Sequence, residues 1–379
     1  MADRLDILAL EPFCGGPRKA MLEAIMRHSC HRWTLLRLPP RRIERRLAAA
    51  AIWFSEQLSR HWVGPVDVLF TSEALNLDDF FKLTPALADK PAVVYFHDNE
   101  LPDADTPSDQ DTALAVVNVT TALAATEIWF NSLYHLQIFL KRASALIHRH
   151  AELAGRDPLP QIASRSQLVR PPIDMDALHR AEGETIERDP RLLFVDTRDA
   201  AVPLLNKALL GLQRRGEKFS LVTTGPVDGL DNELPRTTIP EEDMLARARA
   251  MRRASVIVSA KPGAPADYDA VAAMMAGCWP VFPDVGVYPE LLPGPMHHIC
   301  LYPGSAAEVL VNRLQNVWWI ERPHGYQEDI QRIVQPFEAR VACAEIDDRL
   351  EQLVIAHSVR ASIARETRQA QDKPPGQRS

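Results

Sequence analysis

The chain has 379 residues, 46% of them hydrophobic and 25% charged, and a formal net charge of −7. This composition indicates a globular protein long enough for two domains, and it excludes a surface that is basic all over. Five scattered cysteines without CxxC spacing argue against a disulfide framework or a metal site, and the sequence contains neither a membrane-length apolar run nor a signal peptide, so we expect a cytoplasmic protein with no membrane partner.

In the first half of the chain, short apolar runs alternate with helical patterns, as in parallel βα units. Several of these runs lack polar alternation, which is typical of strands covered on both faces. The predicted strands are Ile7–Leu10, Trp33–Leu38, Val66–Thr71, Ala92–Phe96, Glu127–Asn131 and Gln167–Arg170. The predicted helices are Arg18–His28, Arg45–His61, Asp111–Ala125 and Leu133–His150.

The second half repeats this alternation, with predicted strands at 191–196, 219–225, 254–260 and 279–284. The predicted helices are Leu204–Arg215, Glu241–Arg252, Tyr268–Ala276 and Ala306–Ile320. A Pro-rich, charged stretch predicts a linker at 173–190 between a domain of residues 1–172 and a domain of residues 191–357. Residues 358–379 are predicted to be a helical or disordered tail. We therefore expect an α/β protein with two parallel sheets, whose ligands bind at the carboxyl ends of the strands in a cleft between the domains.

Gly15 and Gly16 follow the first predicted strand and precede a helix that begins near Pro17. Two residues without side chains let a ligand approach the main chain, and the free N–H groups of the helix start favour an anion. A tight turn with proline in the first helical position explains the same residues. The sequence leaves both interpretations open.

Four polar residues directly follow a buried strand: His97, Asp98, Asn99 and Glu100. A histidine at this position can bond a sugar hydroxyl or stabilise developing charge, and the acids can orient it. A simple polar loop is the alternative. Asn131 and Ser132 repeat the pattern after the next strand, where we expect Ser132 to cap a helix, whereas Asn131 fits either a cap or a ligand contact.

Several stretches together resemble the tRNA-queuosine α-mannosyltransferase family over most of residues 5–320. The first half contributes "LALEPFCGGPRKAMLEAI", "VLFTSEALNLDDFFKLTPAL", "YFHDNEL" and "WFNSLYHLQIFL", and the second contributes "ASVIVSAK" and "AGCWPVFPDVGVYPELLP". The resemblance implies a GT-B glycosyltransferase of the retaining, glycogen-synthase-like superfamily, with two Rossmann-like domains facing each other across a cleft. It also implies GDP-mannose as the donor, held mainly by the second domain, tRNA queuosine as the acceptor, and no cofactor or metal.

By the same resemblance, His97 is the candidate catalytic residue, in contact with the donor sugar, and Arg198 binds the β-phosphate. The remaining candidate residues for donor or substrate binding are Gly15, Gly16, Asp98, Asn99, Glu100, Asn131, Lys261, Asp267 and Asp269.

The sequence also departs from the family pattern. Pro17 and Arg18 stand where the family usually has Ser-His or Thr-His, and Lys207 lies later than the expected diphosphate-binding lysine. Ala264 and Ala272 stand where two glutamates, eight positions apart, would hold the donor sugar and ribose.

Asp267 and Asp269 lie nearby but out of register with those glutamates. Losing one carboxylate and the lysine weakens transition-state binding by about 3–6 kcal/mol, at about 1.5–3 kcal/mol for each charge-assisted hydrogen bond.

A basic cluster in "RLPPRRIERRLAAAAIWF" is the candidate contact for tRNA phosphates, with Arg37, Arg41, Arg42, Arg45 and Arg46 as its residues, and Arg18 is a further candidate for nucleic-acid binding. The solvated start of a helix explains the cluster equally well. Two rival functions remain open: a diverged relative that binds a nucleotide or nucleic acid without catalysis, and a transferase with another sugar donor or acceptor. A nucleotide-sugar epimerase of similar two-domain shape is a weaker third.

Overall fold

The structure is a computed structural model that describes residues 4–61, 64–102, 108–149, 157–196, 201–224, 234–240, 243–303, 306–319 and 325–371. The chain divides into two compact units. The first unit comprises Met1–Phe130, Phe139–Val169 and Cys343–Ser379, and the second comprises Asn131–Ile138 and Arg170–Ala342.

The first unit contains a six-stranded parallel sheet in the order β2-β1-β3-β4-β5-β6. Its strands are β1 (Asp6–Glu11), β2 (Arg32–Arg37), β3 (Val68–Ser72), β4 (Ala92–Phe96), β5 (Glu127–Phe130) and β6 (Ser166–Leu168). The helices between them are α1 (Gly16–His28), α2 (Ile43–Arg60), α3 (Leu77–Leu83), α4 (Asp109–Ala124), α5 (Leu133–Arg149, whose first residues belong to the second unit) and α6 (Leu159–Arg165). β3 and β4 are buried along their whole length, and β4 is apolar throughout, as expected of a strand covered on both faces.

The second unit contains a six-stranded parallel sheet in the order β12-β11-β10-β7-β8-β9. Its strands are β7 (Asp189–Val195), β8 (Ser220–Thr224), β9 (Arg236–Ile239), β10 (Ala254–Val258), β11 (Trp279–Pro283) and β12 (Leu301–Tyr302). Its helices are α7 (Asp176–Glu182), α8 (Val202–Arg214), α9 (Met244–Arg253), α10 (Tyr268–Met275), α11 (Tyr288–Leu291), α12 (Gly294–Cys300), α13 (Ala307–Trp319) and α14 (Tyr326–Val334).

The two parallel sheets confirm the predicted α/β class with two Rossmann-like sheets. Each predicted strand overlaps an observed one, and the clearest signals are short apolar runs such as β4 and β11. The sequence analysis missed β9 and β12, which lie at the two edges of the second sheet. β9 is largely exposed and β12 has two residues, so neither carries the pattern of a buried strand.

The segment predicted as a linker, 173–190, packs into the core of the second unit instead of crossing solvent. Ile173, Met175, Leu178 and Ala181 are all buried there, and the last two lie on α7. These four apolar residues are spaced so that they cover one face of the segment, which explains why it folds onto the sheet.

The C-terminal helix α15 (Ala339–Gln371) runs through the predicted boundary at residue 357. It contributes Cys343, Ile346, Leu350 and Leu353 to the core of the first unit, and the chain from Cys343 onward therefore belongs to that unit. Of the predicted tail, 358–371 is helical and the rest lies outside the described residues. Among the described helices, none combines the length and apolar character needed to cross a bilayer.

Candidate active site

Each sheet has a position at which the strand order reverses, and ligands of such sheets bind there, beyond the carboxyl ends of the strands. In the first unit this position lies between β1 and β3. Glu11 ends β1, Glu73 follows β3, and His97 follows the neighbouring strand β4. Three functional side chains from separate parts of the sequence therefore occupy one edge of the sheet.

Glu73 is the central residue of this edge, and it is 1% exposed. One carboxylate oxygen, Oε2, accepts a hydrogen bond from the His97 backbone N–H at 3.1 Å. The other, Oε1, accepts from the Asp98 backbone N–H at 3.2 Å and forms an ion pair with Nη2 of Arg18. A buried carboxylate is tolerated here because a cation and two amide donors satisfy it.

Glu11 lies beside this ion pair and is 2% exposed. Its Oε1 accepts from the Phe13 backbone N–H at 2.7 Å and from the Ser72 hydroxyl at 3.1 Å. Burial raises the pKa of Glu11 from an ordinary 4.5 to about 7, against the opposing effects of Arg18 and the Phe13 amide, while Glu73 raises it further. This carboxyl group therefore keeps its proton to a higher pH than an exposed glutamate does.

The predicted segment His97–Glu100 leaves the end of β4 with each of its backbone N–H groups bonded to a side chain. Beyond the two bonds to Glu73, the Asn99 N–H donates to Oδ1 of Asp98 at 2.8 Å, and the Glu100 N–H donates to Oδ1 of Asn118 at 2.7 Å. Burial, with the nearby Glu73 and Asp98 charges, raises the pKa of Glu100 to about 7. The His97 ring is half-buried, and its centroid lies 4.7 Å from that of Tyr95.

Gly15 and Gly16 are each required for a different structural reason. A Cβ atom on Gly15 would lie 2.5 Å from Cγ and 2.8 Å from Cβ of Pro40, so the chain itself occupies the space that glycine leaves. Gly16 adopts φ +50°, the left-handed conformation that glycine accepts at least cost, and its Cβ would meet nothing within 4 Å. The tight-turn interpretation accounts for Gly15, and ligand contact at both glycines stays a prediction.

The basic cluster lies at the start of α2, where Arg41, Arg42, Arg45 and Arg46 line a cavity of about 580 Å³. Arg42, the N-cap residue, has φ 44°, a conformation that costs a residue with a Cβ about 1 kcal/mol or more. Arg46 donates to the carbonyl of Pro39 at 2.8 Å, while Arg41, Arg42 and Arg45 are exposed. Arg18, predicted with them, instead pairs with the buried Glu73. The contact of all five with nucleic acid stays a prediction.

In the second unit the strand order reverses between β7 and β10, and an ion cluster lies there. Lys261 forms an ion pair with the buried Asp196, and its Nζ lies 3.7 Å from Oδ1 of Asp267. Burial alone would lower the pKa of Lys261, but Asp267 and Asp196 outweigh it and raise the pKa. Oδ2 of Asp267 accepts from the hydroxyls of Ser259, at 3.0 Å, and Tyr288, at 2.8 Å.

The other predicted residues of the second unit also have internal partners. Asp267 caps α10 by accepting from the Ala270 N–H at 3.0 Å, and Asp269 is buried in an ion pair with Arg247. Arg198 lies outside the described residues. The donor-binding roles of Lys261, Asp267 and Asp269 stay predictions, and the structure adds a role in the architecture of the unit to each.

Asn131 and Ser132 both organise the start of α5. Oδ1 of Asn131 lies 2.9 Å from Nδ1 of the buried His135, and the Ser132 hydroxyl accepts from the His135 N–H at 3.0 Å. Ser132 is thus the helix cap that the sequence predicts. Glu290 adds to this helix start by accepting from the Leu133 and Tyr134 N–H groups.

Cys30, His31 and Asp347 place potential metal-ligand atoms within 4.8 Å of one another. The carboxylate of Asp347 already accepts from the Ser29 hydroxyl and, at 2.8 Å, from the Cys30 N–H. These bonds tie α15 to the end of α1, which gives the group a structural role.

Sequence reasoning missed Glu11, Glu73 and Asn118, as well as the ion-pair partners Asp196 and Arg247. Glu11 directly follows an apolar run in "LALEPF", and Glu73 directly follows the buried strand β3 in "LFTSEAL". Charge at the carboxyl end of a buried strand is the signal that identifies them, because burial without a partner would be too costly.

Residues 6–173 match a family model described as "tRNA-queuosine alpha-mannosyltransferase N-terminal". The chain is 24% identical over 310 residues to the tRNA-queuosine alpha-mannosyltransferase of Drosophila melanogaster. The aligned region covers 76% of this chain and 81% of that relative. The matched region contains the whole Glu11–Glu73–His97 edge of the first unit.

Solved structures share the fold at low sequence identity. The catalytic domain of starch synthase IV from Arabidopsis thaliana, bound to ADP and acarbose, has a TM-score of 0.66 at 9% identity and covers 93% of this chain and 100% of its own. Anabaena Alr3699/HepE in complex with UDP-glucose has a TM-score of 0.63 at 14% identity and covers 92% of this chain and 100% of its own. The protein is therefore a hexosyltransferase with the GT-B fold, and its residues 6–173 match the N-terminal domain of the tRNA-queuosine α-mannosyltransferase family.

Proposed function

We propose that the protein transfers mannose from GDP-mannose to queuosine in tRNA, with retention of configuration. The observation that carries the proposal is the match of residues 6–173 to the N-terminal domain of this family, because that segment also builds the polar edge around His97. The D. melanogaster relative, which is named for this activity, extends the similarity to 310 residues.

In this proposal the sugar of the donor lies against His97, which contacts it as the bond to the diphosphate breaks. Asp98, Asn99 and Glu100 provide neighbouring polar groups, and the ligand contacts the main chain at Gly16, where no heavy atom lies within 4 Å of a Cβ position. Arg198 binds the β-phosphate and Lys261 lies on the donor side. The leaving phosphate serves as the base for the incoming hydroxyl, so that the reaction needs no protein nucleophile.

The acceptor contact is proposed for the exposed arginines at the start of α2. Arg41, Arg42 and Arg45 are exposed, and together with Arg46 they line a cavity large enough for phosphate groups. Arginine binds phosphate through two parallel hydrogen bonds, and binding by several such contacts weakens steeply with salt. We place the reaction in the cytoplasm, where tRNA is available and scattered cysteines stay reduced.

The direct test is incubation of the protein with GDP-[14C]mannose and queuosine-containing tRNA. We expect label on this tRNA and none on tRNA that carries guanosine in place of queuosine. The proposal includes no metal, so EDTA should leave the rate unchanged. Folded protein that labels neither tRNA would contradict the proposal.

One observation favours a second candidate, a diverged member with another donor or without catalysis. The carboxylates nearest to the expected glutamate positions, Asp267 and Asp269, are 5% exposed and bonded within the unit. They are therefore poorly placed to hold the hydroxyls of a ribose or sugar. Calorimetry with GDP, UDP and their sugars separates the candidates. Binding of GDP-mannose supports the first candidate, whereas binding of a UDP-sugar supports a transferase with another donor. If no nucleotide sugar binds, the result supports a protein without glycosyl-transfer activity.

A further inference from the structure

We propose that Glu73 is a positioning residue for His97: its buried carboxylate fixes the backbone that presents the His97 ring. The inference rests on the proposed function, in which His97 contacts the donor sugar. It goes further by assigning a role to a residue outside the polar segment itself.

The carboxylate of Glu73 contacts both amides at the end of β4. Its two oxygens separately bond the N–H groups of His97 and Asp98, at 3.1 and 3.2 Å. These are the two residues at which the chain leaves β4. Bonds to both amides fix the two peptide planes that flank the His97 Cα, and with them the direction of the His97 Cα–Cβ bond.

The carboxylate is itself held in place by Arg18. Arg18, on α1, forms an ion pair with Oε1, and its side chain is only 15% exposed. Oriented by a fixed cation and 1% exposed, Glu73 does not rotate freely.

Asn118, fully buried on α4, provides a second anchor for the same segment. Its Nδ2 donates to the Glu73 carbonyl at 3.2 Å, while its Oδ1 accepts from the Glu100 N–H. The side chains of Glu73 and Asn118 thereby link three segments: the chain after β3, the helix α4 and residues 97–100. A site needs this kind of support, because displacement of a reacting group by about 1 Å can cost about 100-fold in rate.

The kinetic test uses Glu73→Asp and Glu73→Gln, each alone and combined with His97→Ala, in steady-state transfer from GDP-mannose to queuosine-tRNA. Glu73→Asp keeps a charge for Arg18 but withdraws the oxygens by roughly one carbon–carbon bond. Glu127→Gln is the matched control. Glu127 is the first residue of β5, at the amino ends of the strands and so away from His97, and it accepts a hydrogen bond from the Trp129 indole.

We expect Glu73→Gln to lower kcat about 10- to 100-fold with KM for GDP-mannose changed less than about threefold, and Glu73→Asp to have a smaller effect. The decisive result is the double variant: because Glu73 acts through His97, Glu73→Gln/His97→Ala should be no slower than His97→Ala alone. Losses that multiply in the double variant, or wild-type rates for Glu73→Gln, would overturn the inference.

Amide hydrogen exchange measured on the same variants separates this inference from the proposed function. In Glu73→Asp the amides of residues 97 and 98 should exchange at least about tenfold faster, while the amides of β1 stay protected. If the wild-type protein transfers no sugar, the proposed function fails, and these exchange rates still decide whether Glu73 fixes the segment. Unchanged exchange at 97 and 98 would show that it does not.

Discussion

The protonation of Glu11 provides the sharpest energetic prediction for the first unit. Its pKa rises from 4.5 to about 7 because burial disfavours the charged form. The folded state therefore binds this proton more tightly than the unfolded state. The resulting stability is fully present below about pH 4.5 and is lost as the pH rises through about 7.

The magnitude follows from the same values. A rise of this size corresponds to about 3 kcal/mol, at about 1.4 kcal/mol for each pH unit. Glu11→Gln removes the titrating group and keeps an oxygen for the Phe13 amide and the Ser72 hydroxyl. The free energy of unfolding of the wild type minus that of this variant should therefore fall by about 3 kcal/mol between about pH 4.5 and pH 7.5.

The assay is urea denaturation read by pulsed hydrogen exchange of peptides from β1 and β3, which reports on the first unit alone. Met21→Ala is the control, because Met21 is fully buried on α1 and its loss costs about 2–5 kcal/mol without a titrating group. A difference between wild type and Glu11→Gln that stays constant over this pH range, or grows with pH, would refute the reasoning.

Three further predictions concern packing and the basic cluster. Gly15→Ala should destabilise the first unit by about 1–3 kcal/mol in urea denaturation, because the new Cβ overlaps the Pro40 ring, and Gly15→Ala/Pro40→Ala should recover most of that loss; an unaffected single variant would contradict the contact. Asp347→Ala should lower the unfolding free energy by about 2–4 kcal/mol, since two donors lose their carboxylate, and a melting temperature equal to that of wild type would show that α15 is held by other contacts. Arg42→Gln/Arg45→Gln should weaken tRNA binding and reduce the slope of log affinity against log salt by about 1–2, and equal slopes for variant and wild type would remove the cluster from the acceptor site.

Prediction from sequence succeeded where a local pattern determines the structure. Buried parallel strands such as β3 and β4 are short, largely apolar runs, and both were located within two residues of their observed bounds. The short edge strand β12 carries no such pattern, since pairing with β11 alone defines it. The segment 173–190 was predicted as a linker because it is rich in proline and charged residues. Four apolar residues within it nevertheless pack into the core, a contact that its composition does not indicate.

The candidate site was predictable only in part, because several of its residues are held by partners that are distant in sequence. His97 stood out as one of several polar residues after a strand, whereas Glu73 is a single acid whose partners lie 24 and 55 residues away. Asp267 and Asp269 looked available in the sequence, but folding gives them Tyr288 and Arg247 as partners. Local patterns identify where polar groups emerge, and only the fold shows which of them are already satisfied.

The measurement that tests the central claim most directly is transfer of labelled mannose to queuosine-tRNA by wild type and by His97→Ala. The account predicts that the wild type labels this tRNA with retention of configuration, and that His97→Ala loses most of the rate while it stays folded and still binds GDP-mannose. Folded wild-type protein that leaves the tRNA unlabelled, or a His97→Ala variant that is as fast as wild type, would contradict it.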